Sequence, residues 1–104
     1  MKRQARDKAE MKRLENKLFQ AFLALKTVEE YRRFFADLCT PAEIEAMADR
    51  WNTVGKLMKQ ESYREIATET DVSLTTIGRV ARCLYGDGGG YRLVLEKQGE
   101  WKNG

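Results

Sequence analysis

The chain is read most directly from residues 63–82, Tyr63-Arg64-Glu65-Ile66-Ala67-Thr68-Glu69-Thr70-Asp71-Val72-Ser73-Leu74-Thr75-Thr76-Ile77-Gly78-Arg79-Val80-Ala81-Arg82. Ser62 and Glu65 form an S-x-x-E capping box that opens a short helix. Thr70-Asp71-Val72-Ser73 breaks that helix, and Ser73 caps a second one with Leu74, Ile77, Val80, Ala81 and Leu84 on one side. Two short helices joined by a four-residue turn are a helix-turn-helix. Its buried positions receive Ile66, Ala67, Val72, Ile77 and Val80, and the small Ala67 suits a close helix crossing. Asp71 takes the turn position usually held by glycine, and tolerates the left-handed conformation better than most residues. Thr70 occupies a position that is more often aliphatic.

Outward from this unit the pattern stays helical. Residues 3–26 read as one helix with Leu14, Leu18, Phe22 and Leu25 on one face and Phe19 and Leu23 on another. A helix apolar on two sides needs two neighbours, and in a chain of 104 residues the second can be another subunit. Thr27 and Glu30 form a capping box before Tyr31, Phe34, Phe35 and Leu38. Thr40-Pro41-Ala42-Glu43 opens a long helix to about Gln60, striped by Ile44, Met47, Ala48, Trp51, Val54, Leu57 and Met58. Beyond the helix-turn-helix, residues 86–90 form a glycine loop, read as a hinge because no G-K-[ST] ending follows. Tyr91 to Gln98 is taken as a last helix, since no partner strand exists for it. The expectation is a single all-α domain over 1–104 with about six helices. It comprises a basic dimerisation helix (1–26), the helix-turn-helix (62–85), and a glycine loop with a C-terminal helix (86–104).

Composition removes whole function classes. The chain has no histidine, so imidazole acid–base chemistry and histidine metal sites are excluded. Cys39 and Cys83 form no C-x-x-C pair, and two lone thiols fit a reducing, cytoplasmic setting. Cys83 is expected to be a partly buried packing residue. No apolar run approaches a membrane span, and no leader with a cleavage site is evident. No nucleophile–base pair or metal cluster supports an enzyme, and no cofactor is expected. The net charge of +3 is unevenly spread: residues 1–26 carry +5, residues 27–61 carry −2, and residues 62–104 balance. A basic arm suits a polyanionic partner.

With Ile77 in the core, Thr75, Arg79 and Arg82 project the opposite way, and residues 73–85 hold two arginines and no acid. Short hydroxyls and arginines hydrogen-bond phosphates and base edges in a major groove. A second reading stays open. Residues 62–85 balance three basic against three acidic side chains, which also suits a dimeric helical interaction module that no longer reads DNA.

Thr40-Pro41-Ala42-Glu43-Ile44-Glu45-Ala46-Met47, then Arg50, Tyr63-Arg64-Glu65-Ile66 and Thr76-Ile77-Gly78-Arg79 resemble the Trp repressor superfamily. The ending Leu84-Tyr85-Gly86 with Gly90-Tyr91 is similar to its YerC/YecD branch. The resemblance covers about residues 30–98. It implies an intertwined homodimer that regulates transcription in bacteria, most simply as a repressor, and binds double-stranded DNA. It assigns DNA-facing roles to Tyr63, Arg64, Ser73, Leu74, Thr75, Thr76 and Gly78, beside Arg79 and Arg82 from the face argument above. Ala67 stands where the family's repressor has a lysine, so one phosphate contact is expected to be missing. The resemblance also implies an effector pocket at Thr40, Arg50, Arg79, Val80 and Cys83. There Val80 replaces a glycine and Cys83 a serine. Tryptophan is therefore not expected as the ligand, and the effector is left open.

Overall fold

The computed structural model describes residues 7–101. Among these it holds six helices and no strand: α1 Lys8–Leu23, α2 Val28–Leu38, α3 Pro41–Met58, α4 Tyr63–Thr70, α5 Leu74–Tyr85 and α6 Gly90–Lys97. The last of these is the helix expected over Tyr91 to Gln98, begun one residue earlier and capped by Gln98. No helix among the described residues is long and apolar enough to cross a membrane. The chain divides into two compact units, one ending at Pro41 and one beginning at Ala42.

In the N-terminal unit, α1 is shorter than its periodicity suggests. Asp7 caps it by accepting from the Glu10 N–H at 2.8 Å. It ends at Leu23, where the Ala24 and Leu25 N–H groups reach back three residues, to Ala21 and Phe22. Residues 3–6 of the expected helix lie outside the described residues. The extended backbone of Thr27, whose hydroxyl accepts from the Glu30 N–H at 3.1 Å, sets the start of α2. Glu30 in turn accepts from the N–H of Lys26 at 2.7 Å, one residue further back than a standard box. Phe22 is the hub of the unit, stacked on Phe35 at 5.5 Å and edge-on to Phe34 at 5.6 Å. Neither α1 nor α2 contains a buried residue.

The C-terminal unit has a true core of Val54, Leu57, Ile66, Ile77, Val80, Ala81, Leu84 and Leu95. Of the seven-residue stripe expected on α3, only Val54 and Leu57 are buried, with Met58 packed against the cluster. Trp51 and Ala48 are exposed, because the core lies against the C-terminal half of the helix alone. Thr53, absent from the stripe, is fully buried; its hydroxyl donates to the Asp49 carbonyl at 2.8 Å, which removes the cost of burying it. The helix closes at Gln60, a non-glycine residue at φ 64° in the left-handed region.

Candidate nucleic-acid interface

Local chemistry builds the turn between α4 and α5. Ser62 accepts from the Glu65 N–H at 3.1 Å and starts α4. Asp71 ends it at φ 60°, ψ 12°, the left-handed conformation expected of it. Thr70, which departs from the usual aliphatic choice, is here a turn-holding residue. Its hydroxyl donates to the Ile66 carbonyl at 2.6 Å and accepts from the Val72 N–H at 3.1 Å. Ser73 then accepts from the Thr76 N–H at 3.1 Å and starts α5.

On α5 the apolar stripe and the polar face separate cleanly. Ile77, Val80, Ala81 and Leu84 are buried, whereas Thr75, Arg79 and Arg82 are exposed on the other side. The expected contact residues fall into three groups. Tyr63 and Arg64 are exposed in the first turn of α4, and Ser73, Leu74 and Thr75 are exposed at the start of α5. Thr76 and Gly78 are half-buried. A β-carbon placed on Gly78 would meet an Arg82 guanidinium nitrogen at 3.5 Å, so Arg82 lies back along the helix one turn. Part of the hydroxyl capacity is already used, since the Ser73 hydroxyl also donates to Thr76 Oγ1 at 3.0 Å. Ala67 is half-buried against the core.

A cleft of about 650 Å³ opens beside this face, lined by Arg50, Thr76, Arg79, Val80, Cys83, Gly88, Gly89, Gly90 and Tyr91. Four of the five residues expected in an effector pocket therefore meet here; the fifth, Thr40, belongs to the N-terminal unit. Thr76 and Arg79 belong to both the cleft and the outer face. Val80 is 1% exposed and forms part of the floor. The expectation for Cys83 is corrected: it is exposed. It lies seven residues after Thr76 and four after Arg79, which carries it off the side of α5 that faces the core. The glycine wall and Tyr91 were not expected in the cleft. Gly89, at φ 79°, caps α6, and Gly90 already belongs to that helix. Among the described residues no carboxylate lines the cleft, so their formal side-chain charge there comes from Arg50 and Arg79.

The comparisons with known proteins agree with this geometry. The family model described as Trp repressor protein matches residues 13–99. The uncharacterized YerC protein of Bacillus subtilis is 42% identical over 91 residues, covering 88% of this chain and 86% of that protein. The crystal structure of a TrpR-like protein from Eubacterium eligens superposes with a TM-score of 0.73 at 39% identity, over 85% of this chain and 91% of that one. A candidate Trp repressor from Staphylococcus aureus superposes with a TM-score of 0.77 at 31% identity, over 94% of this chain and all 100% of that one. A profile match running from α1 to beyond α6, with a close relative and two solved folds behind it, leaves one assignment: the chain belongs to the Trp repressor family, beside YerC.

Proposed function

We propose that this chain is a homodimeric, sequence-specific DNA-binding transcriptional regulator of the repressor type, acting in the bacterial cytoplasm. Its family is one of non-enzymatic regulators. The observation that carries the reading is the face of α4 and α5 opposite the core. Arg64, Arg79 and Arg82 are exposed there, and among the described residues none is in an ion pair. Unpaired guanidiniums beside short hydroxyls suit phosphate and guanine contacts. Two such heads in a dimer would address half-sites roughly 34 Å apart.

Genomic immunoprecipitation tests occupancy and yields the operator. On that operator, Arg79→Ala lowers affinity by about 1–3 kcal/mol if the contact is bidentate to a base. A phosphate contact instead weakens all sequences alike and flattens the salt dependence. Unchanged affinity in Arg64→Ala, Arg79→Ala and Arg82→Ala alike would favour the interaction module. That reading draws on residues 62–85, where Arg64, Arg79 and Arg82 are balanced by Glu65, Glu69 and Asp71.

The cleft beside Arg79 is the proposed effector site, and free tryptophan is not its ligand. Arg50 and Arg79 can stack on a flat ring. The losses at Val80 and Cys83 oppose this: a branched side chain replaces a glycine, and a thiol is a weaker hydrogen-bond partner than a hydroxyl. A ligand amine or carboxylate left poorly paired costs about 1–3 kcal/mol. Calorimetry should find no tight L-tryptophan binding by the unmodified dimer. Binding gained by Val80→Gly/Cys83→Ser would support the argument, and tight binding without those changes would overturn it.

A further inference from the structure

The first helix of the helix-turn-helix is thinly anchored. α4 has eight residues and buries one of them, Ile66. Yet it carries Tyr63 and Arg64, so its tilt decides where two reading residues stand. Glu65 and Glu69 lie one turn apart on the same side of α4, and Glu61 stands just before the Ser62 cap. Their carboxylate oxygens lie within 4.8 Å of one another. Three like charges so close would drive α4 and its leading turn apart.

Among the described residues one cation pairs with them. The Lys56 ammonium, in the last turn of α3, pairs with Glu69 and lies 3.6 Å from Glu61 Oε1. Lys56 and Glu61 are both about four-fifths buried, with side-chain exposures of 22% and 21%. Glu61 Oε1 is buried without a hydrogen bond, so this ammonium is the charge that compensates it. The Lys56 carbonyl also accepts from the Glu61 N–H at 3.2 Å, tying the turn itself to α3. The Glu69 hydrogen bond raises the Lys56 pKa above its ordinary value, and the same bond lowers that of Glu69. An isolated exposed ion pair contributes little to stability. Here removal of the cation would leave facing carboxylates uncompensated at close range, which is a different situation.

We propose that Lys56 is a positioning residue for DNA reading: a strut from α3 that holds α4 by neutralising Glu61 and Glu69, and so sets where Tyr63 and Arg64 meet the duplex. It makes no nucleic-acid contact itself. The proposal rests on the regulator reading above, and its test has one arm that needs no DNA.

That arm is amide hydrogen exchange on the full dimer. Lys56→Met keeps the aliphatic stem and should speed exchange of the α4 amides by roughly ten-fold, with the α5 core amides unchanged. Lys56→Arg should restore protection. So should Lys56→Met/Glu61→Gln/Glu69→Gln, which removes the repulsion with the cation. Lys56→Gln, which removes the charge but keeps an amide donor for Glu69, serves as a milder variant if Lys56→Met does not fold, and should speed α4 exchange in the same direction by a smaller factor. In the second arm, operator binding by Lys56→Met should weaken about five-fold with an unaltered slope of log Kd against log salt, because no phosphate contact is lost. Unaltered α4 exchange in Lys56→Met, or failure of the triple variant to restore it, would overturn the strut. A slope shallower by about one would overturn it too, by making Lys56 a phosphate contact. If the unmodified protein binds no DNA, the regulator reading and the positioning role fall together, while the exchange arm still decides whether the strut exists.

Discussion

The two units of this chain solve the burial problem differently. In the C-terminal unit eight apolar residues from four helices are buried together, and Val54, Ile66 and Ile77 reach 0% exposure. The shorter N-terminal unit carries as many aromatics as the longer one, Phe19, Phe22, Tyr31, Phe34 and Phe35, yet among its described residues none is fully buried. Phe19 stays 55% exposed, Leu23 81% and Val28 74%. Two helices have too little surface to enclose their own apolar faces, whereas four can. The contrast teaches that one unit owns its core, and that the other carries apolar surface of the kind a second chain covers.

The sharpest way to break this comparison is to charge the uncovered surface. Phe19→Asp/Leu23→Asp removes little packing within the chain. For the homodimer proposed above, it should nonetheless convert a particle of twice 12.0 kDa into one of 12.0 kDa by sedimentation at micromolar concentration. A dimer that survives both charges would place its interface elsewhere. The next effect is confined to the self-contained unit. Ile77→Ala empties a site with no solvent access and should cost about 2–5 kcal/mol in urea unfolding at fixed protein concentration. Leu23→Ala, at a dimer-disrupting dilution, should change stability by less than about 0.5 kcal/mol. Similar costs at the two positions would erase the distinction between the units.

The smallest effect is in pH, and it also belongs to the C-terminal unit. The pKa of Glu69 is lowered on folding by its hydrogen bond to Lys56, so the stability it contributes is present at neutral pH. That contribution fades as pH falls through the carboxylate range, near pH 4 and below. The pKa of Lys56 is raised, so its contribution is present at neutral pH and lost only as the solution becomes strongly alkaline. Glu69→Gln should flatten the acid limb of the stability profile slightly and leave the neutral range without a new transition. An acid limb identical in both proteins would mean that other carboxylates carry it.

Much of the fold was legible because its signals are local. Thr27, Ser62 and Ser73 each cap a helix through an N–H three residues ahead, and Asp71 turns the chain in the left-handed conformation. Such contacts are set by neighbours in the chain, so composition and spacing reveal them. The separation of Thr75, Arg79 and Arg82 from Ile77 and Val80 on α5 follows from helical period alone.

What tertiary structure decided involves residues far apart in the chain. Leu95 joins the core only because α6 folds back on α5, and the glycines after α5 become a cleft wall for the same reason. Lys56 and Glu69, thirteen residues apart, meet because Gln60 turns the chain through a left-handed residue that no glycine announces. Trp51 fits the apolar stripe on α3, but only half of that helix faces the core. Periodicity says which residues can share a face. Which face is covered, and by what, depends on long-range packing, where each contact closes a loop whose path neighbouring residues do not specify.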